Sequence, residues 1–541
     1  MSLHGLLRVA CLSCFSLCAV AVRAQSPDII LHHGHIFTGD IATPWVEAVS
    51  VRGNTILAVG SESAILATAD KHTRVIDLQG HMAMAGINDA HDHVGGAPYG
   101  VEAATKTPPA AHPSIAEVAD AVRAAASAAP PGGWIHGIIG SPAITSPKLT
   151  RAAIDEVGGN HPVILQSWVG HGAILNTLGL AKLGIKDSTP DPPGGHYDRD
   201  SDGHLTGKLE EYAGDAIWML LADQPGVPAA VNAFRPYAER RLSEGVTTVQ
   251  VMATNQRLAN LEQTFVQADE PIRLRIMRFP IPTEDALNGD HFEAGEKVLT
   301  PLIRVAGIKW VLDGTPIDDQ LAFQTKDYPG RPGWRGRPNF NVDFIDTQLR
   351  LALTGKDQLM LHVVGDAMTD EVMDEMEKLA PPERWRPLRV RFEHGDGLTT
   401  PERLQRAHKL GIVVAQPRPG RNFRAFLDAD IPLAYGSDQG MAPFFMLSVM
   451  TTPGDPKAIS RLEALAVLTS GPAFAEFQES RKGRLAAGML ADITVLSQDV
   501  MTAAQGDLVK TQSLLTLVDG KVAYRSPLFG TESSPAVPQG H

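Results

Sequence analysis

With 541 residues, the chain is too long for one simple domain and long enough for a large α/β barrel with a smaller module. A hydrophobic fraction of 43% beside 20% charged residues excludes a disordered chain. The formal charge of −13 argues against nucleic acid or an anionic membrane as the main partner.

At the N-terminus Arg8 precedes an apolar run from Val9 to Val22, and Val22, Arg23 and Ala24 offer small residues for cleavage before Gln25. Residues 1–24 therefore read as a secretory signal peptide, with a run too short for a membrane span. The expected location is periplasmic or secreted. Cys11, Cys14 and Cys18 all fall inside this segment, so the mature chain would carry neither a disulfide nor a thiol. No later segment is long and apolar enough to span a bilayer. The expected partner is a small-molecule substrate, with a homodimer left open.

From 25 to 85 the chain is a series of short β segments punctuated by Gly34, Gly39, Gly53, Gly60 and Gly80. The same texture returns at 476–525, which predicts a small β-sandwich built from both ends. Residues 526–541, rich in Ser, Pro and Gly, read as a loose tail. Between these ends, at 86–475, strands and helices alternate. Apolar β-branched runs near 83–91, 246–252, 272–279, 304–311, 358–364, 388–394, 411–416 and 432–438 give eight strands. Thr400 followed by Pro401, with Gly411 beyond Leu410, marks the start and stop of one intervening helix. Met368, Val372, Met376 and Leu379 mark a buried helical face. The fold class expected is α/β, a distorted (β/α)8 TIM barrel with its site at the C-terminal strand ends. About 95–240 is longer than any ordinary βα loop and reads as an inserted subdomain over that mouth.

Polar residues late in these strands carry the chemistry. His91 and His93, at spacing i, i+2, turn to one face of an extended segment, and neutral imidazole is a common metal ligand. Lys309, His362, His394 and Asp438 each end or interrupt another apolar strand. A lone strand-end histidine is more often structural. Six such residues on strands 1, 4, 5, 6 and 8 of one barrel form a pattern that chance does not readily give. His33 and His35 share the His-x-His spacing, but nothing metal-like follows them in order.

This ordered set resembles the amidohydrolase superfamily, and within it amidohydrolase family 3, which includes N-substituted formamide deformylases. The resemblance runs from the segment 28–38 through 86–93, 161–171, 202–211, 309–314, 362–366, 393–394 and 436–438 to 482–492. It implies that His91, His93, His362 and His394 hold one or two divalent metals, most simply Zn2+. It further implies that Lys309, carboxylated by CO2, bridges two metals, since a protonated ammonium cannot be a ligand. The competing reading of Lys309 is an ammonium paired with Asp313 on the same strand face. Asp438 would be both ligand and acid/base, and His171, in the insertion, would donate to the oxyanion or else pack as a lid residue. Asp366 stands where deaminases of this superfamily place a catalytic Glu, which disfavours deamination. The segments after Gly137, after Asp313 and at Gln439-Gly440 depart from the family pattern where substrate should sit, so no substrate carries over. The leading function is an exported metal-dependent hydrolase of a C–N bond (amide, N-acyl or N-formyl). An esterase or lactonase is the alternative, and an exported binding protein without turnover is the reading from another class.

Overall fold

The computed structural model describes residues 26–281, 295–438 and 440–530. The expected signal peptide at 1–24, with its three cysteines, and the last part of the expected tail lie outside the described residues. Eight strands form one parallel sheet in which each neighbours the next in sequence. They are β1 (Ile87–Asp92), β2 (Val246–Met252), β3 (Arg273–Arg278), β4 (Ile303–Val311), β5 (Leu359–Val363), β6 (Arg391–His394), β7 (Val413–Ala415) and β8 (Leu433–Ala434). The barrel closes where β8 meets β1, through backbone bonds from Ala90 N–H to Tyr435 O (2.7 Å) and from Asp438 N–H to His91 O (2.9 Å). The protein is thus a distorted (β/α)8 barrel carrying additional sheets.

Helices fill the connections as their sequences require. Thr400 caps the helix Pro401–Leu410 by accepting from Arg403 N–H, and Gly411 ends it at φ 71°, a left-handed backbone that suits glycine. Met368, Val372 and Met376 are fully buried on the helix Asp366–Leu379. The helix Gly226–Ser243 begins inside the 95–240 span expected for the insertion, yet it packs on the barrel. Its Phe234 ring lies 4.7 Å from that of Phe265, on the helix Leu258–Ala268.

The first expected strand, 83–91, is two strands in two sheets. Met82–Ala85 pairs with His35–Phe37 and with Ile493–Leu496 in a six-stranded sheet, and β1 starts only after Gly86. A Cβ at Gly86 would stand 2.2 Å from Thr247 Oγ1, so only glycine lets the chain turn so close to β2. This six-stranded sheet takes strands from both termini. It packs on a four-stranded sheet of residues 29–77, and one apolar core joins Leu31, Val49 and Ile76 to Ile493, Leu515 and Leu517. The beginning of the expected loose tail belongs to that core. Ser526 N–H bonds to Leu514 O at 2.8 Å, and Phe529 is buried against the sandwich.

Residues 101–211 form a separate six-stranded sheet of mixed strand direction. It carries the helices Ile115–Ala128 and Arg151–Gly158 and has apolar cores of its own. Its strands Val163–Ser167 and Gly172–Leu175 are joined by a turn that brings His171 to the barrel mouth.

The barrel interior is unusually polar. Arg391 Nη1 donates to Gln250 Oε1 at 2.7 Å and Arg391 Nη2 to Ala90 O at 2.7 Å. Arg275 donates to Gln358 Oε1 at 2.8 Å and to Ala306 O at 3.1 Å. Charges buried in this way are tolerable only because each finds partners. The closure depends on one such pair. Asp89 accepts from Ser437 N–H at 2.9 Å and from His91 N–H at 3.2 Å, and it pairs with Arg241, both side chains wholly buried. Asp89→Ala should therefore lower folding stability by about 3–5 kcal/mol, the cost of stranding a buried charge. Arg123→Ala, which breaks an exposed pair with Asp120, should cost less than about 1 kcal/mol. Denaturant titrations of both variants check this.

Candidate metal centre

At the C-terminal ends of the barrel strands, His91, His93, His171, Lys309, His362, His394 and Asp438 line one small cavity of about 70 Å³. Strand alternation sends His91 and His93 to the same side, with their Nε2 atoms 3.1 Å apart. Asp92, between them, points the other way and accepts from Tyr237 Oη. Asp438 Oδ1 lies 3.5 Å from His91 Nε2 and 3.3 Å from His93 Nε2. The His362 and His394 ring centroids are 4.6 Å apart, and those of His91 and His394 5.4 Å. His394 and Asp438 both adopt positive φ, 72° and 43°. Such backbone is strained for non-glycine residues and occurs most at functional sites. Here it turns each side chain off its strand end into the cavity.

The chemistry of this donor set fits a divalent metal. His362 Nε2 and His394 Nδ1 are buried without a hydrogen-bond partner, a costly state unless those lone pairs have another use. Burial, together with neighbouring positive charge, holds both imidazoles well below their usual pKa and so keeps them neutral. Ligand atoms of His91, His394 and Asp438 all lie within 4.8 Å of one another. Burial would push the Asp438 carboxyl up, but bonds to His91 and His93 outweigh it and hold the group ionised.

Lys309 is buried at the same cavity, and burial pushes its amine down to about 8. The alternative pairing with Asp313 does not occur. The Asp313 carboxylate is taken up by three backbone N–H groups, of Phe323, Val364 and Gly365, at 2.7–3.0 Å. Asp366 lies off the cavity, where it accepts from Thr325 N–H and Oγ1. His33 and His35 sit far from the barrel mouth, half-exposed and bonded to Asp77 and Asp499.

Several partners of these residues carry no mark in local spacing. Glu393 accepts from His91 Nδ1 and is itself held by Arg391 Nε at 2.8 Å. Burial would raise its pKa, but Arg391 and His91 hold it well below the usual carboxylate range. Its signals in sequence are its place one residue before His394, alternating with Arg391, and its inclusion in the family-like segment 393–394. His93 Nδ1 meets Thr254 Oγ1 at 2.8 Å. His171 Nδ1 meets Glu211 at 3.0–3.1 Å. Burial opposes the His171 imidazolium, but the Glu211 charge and bond prevail and lift it to about 9. A second cavity, about 290 Å³, lies at the opposite end of the barrel. Its charges pair with each other, Glu476 with Arg304 and with Lys482 at 2.6 Å each, and no cluster of free imidazoles faces it.

A deep barrel mouth with four imidazoles, an amine and a carboxylate defines a metal-dependent hydrolase. The sequence profile of the amidohydrolase family matches residues 74–524, and the chain belongs to that family. It is an enzyme with a divalent metal cofactor. It is 27% identical to the N-substituted formamide deformylase of Arthrobacter pascens, across 92% of this chain and 99% of that protein. It is also 27% identical to the protein LONG AFTER FAR-RED 3 of Arabidopsis thaliana, across 92% of this chain and 91% of that one. Its fold is similar to that of an uncharacterised metal-dependent hydrolase from Pyrococcus horikoshii, with a TM-score of 0.65 and 18% identity over 88% of this chain and 99% of the other.

His362→Ala and His394→Ala should each lose bound metal while far-UV circular dichroism stays unchanged, because mouth residues do not pack the barrel. His33→Ala should keep full metal content. Glu393→Gln, which leaves His91 without its carboxylate, should weaken metal affinity roughly 10–100-fold. Metal analysis of dialysed protein reads all four.

Proposed function

We propose that the protein hydrolyses a carbon–nitrogen bond of a small molecule, an amide, N-acyl or N-formyl bond, with Asp438 as acid/base. The observation that carries this reading is the convergence of four imidazoles, Lys309 and Asp438 on one cavity beside a charged His171. The deformylase likeness over nearly the whole length supports it. A divalent ion held there, with Zn2+ the simplest choice, supplies Lewis-acid polarisation of a carbonyl and acidifies water toward neutrality. His91, His93, His362 and His394 are its ligands, and Glu393 fixes the tautomer and orientation of His91. Lys309, which makes no ion pair with a carboxylate, would first lose its ammonium proton and then take up CO2 as a carbamate with release of a second proton, and the carbamate would offer oxygen ligands to a further ion.

Asp438 accepts the proton of the attacking water and passes it to the departing nitrogen, which leaves as a neutral amine. His171, kept protonated by Glu211, donates to the carbonyl oxygen as negative charge grows on it. The inserted sheet, by carrying His171 over the mouth, keeps bulk water away from that charge and strengthens the interaction. An esterase or lactonase reading uses the same water and the same acid/base, and differs only in the leaving atom.

We assign residues 1–24 to export, so that the enzyme works in the periplasm or outside the cell. Among the described residues no helix is long and apolar enough to cross a membrane. Intact mass of exported protein should start at Gln25, and a retained Met1 terminus would refute the assignment.

Asp438→Asn keeps shape and one oxygen ligand but cannot take up a proton. It should retain most metal while kcat falls roughly 10²–10⁴-fold, with loss of the acidic limb of the pH–rate profile. Lys309→Ala should lose the second ion and regain part of it when a short carboxylic acid is added. Metal stoichiometry beside amine release from a panel of N-formyl and N-acyl amines, with matched esters, checks both and separates amidase from esterase. A near-normal kcat in Asp438→Asn would sink the mechanism.

A further inference from the structure

Beside the metal centre a larger cavity, about 380 Å³, opens between the insertion and the loop that follows β7. It is continuous with the site, since His171, His394 and Asp438 line both. Its walls are of two kinds. Val169, Pro316, Ile317 and Met441 make it apolar on one side, and Arg418 and Arg421 face it from the other.

The two guanidiniums share a single counter-charge. Both donate to Oδ2 of the buried Asp396, Arg421 at 2.7 Å. Two cations over one carboxylate leave one positive charge in excess, on a wall where Arg418 is mostly buried and Arg421 partly exposed. Burial and mutual repulsion lower the Arg418 pKa to about 10, the direction expected where a further anion is wanted. The unused hydrogen-bonding capacity along this wall consists mainly of donors. Arg418 Nε, Arg421 Nε and Trp168 Nε1 are all buried without partners. Two acceptors beside the arginines are also without partners: Asp396 Oδ1, which does not line the cavity, and Gln416 Oε1, whose carboxamide can present its NH2 instead by turning about its last torsion. Asp438, the one carboxylate on this wall, is already engaged by His91 and His93.

We infer that the substrate carries a carboxylate, bound by Arg418 and Arg421, on the part of the molecule that extends from the scissile bond into this cavity. This rests on the C–N hydrolase reading of the metal centre. A planar guanidinium matches a carboxylate with two parallel bonds. One excess charge suits a monoanion better than a phosphate, which carries close to two. The apolar wall then takes the hydrocarbon body of the same part of the substrate. Arg418 and Arg421 follow β7 in the segment 416–421, and the carboxylate is what would set substrate choice there.

The test uses the metal-loaded enzyme and matched substrates that differ only in a carboxylate: N-formylphenylalanine against N-formyl-2-phenylethylamine, and N-formyl-6-aminohexanoate against N-formylpentylamine. The carboxylated member of at least one pair should show the higher kcat/KM. Arg418→Met with Arg421→Met should remove that preference, a loss of roughly 10–100-fold for the anion, while turnover of the neutral twin persists. Binding of 3-phenylpropanoate, measured by calorimetry on the loaded enzyme, should weaken in the same variant. Equal turnover of both twins by the unaltered enzyme, or an equal loss on both in the variant, overturns the inference and leaves the hydrolase reading intact. Unchanged 3-phenylpropanoate binding in the variant overturns it too, since the carboxylate would then sit on the metal. If no member of any pair is hydrolysed, the N-formyl reading fails and the binding measurement decides, arginine-dependent 3-phenylpropanoate binding upholding the anion site and its absence overturning it.

Discussion

The seam between β1 and β8 is the constraint on which the rest of the molecule depends. β8 has only two residues, and among the described residues two backbone hydrogen bonds cross the seam. Asp89 does what a longer ladder would do elsewhere. One oxygen accepts the N–H groups of His91 and Ser437, and the other meets Arg241 on the helix that precedes β2. The seam therefore fixes His91 and the residue before Asp438 against each other. Two residues of the candidate metal centre, more than 340 residues apart in sequence, are brought into register by one carboxylate.

A polar barrel interior is the second consequence. Arg391 reaches across the barrel to Ala90 O and Gln250, and holds Glu393, which in turn holds His91. Replacing this chain with apolar side chains could leave the barrel as stable or more so, because buried ion pairs seldom add net stability. What the chain supplies is orientation. His91 keeps Nε2 toward the cavity only while Nδ1 is bonded to Glu393, and a ligand free to rotate would bind metal less well. The same logic holds at the mouth, where Glu211 keeps His171 charged and aimed.

The site is asymmetric. On the barrel side His91 and His93 are each fixed by a partner, while the buried His362 Nε2 and His394 Nδ1 are left free for a ligand. On the side of the loop after β7, donors outnumber partners and one positive charge is left over. The first arrangement suits chemistry that is shared across a family, and the second suits choice among substrates. Loops on a rigid scaffold are where such choice is usually made.

All eight barrel strands were legible in the chain because buried parallel strands are apolar runs, and polar residues stand out at their ends. Lys309, His362, His394 and Asp438 were visible for that reason, and His91 and His93 also by their spacing. Several features were not legible. Nothing in an apolar run shows that residues 82–92 change sheets at Gly86, because the reason is Thr247 on another strand. Phe529 looks like part of a polar tail until the sandwich offers it a core. Glu393 and Glu211 fall in family-like segments, but their roles, like those of the Arg418–Arg421–Asp396 cluster, come from partners 22 to 302 residues away. Sequence determined the elements, because periodicity and burial are local properties of a segment. Tertiary structure alone decided which charges meet, because distance in space is set by how those elements close on one another.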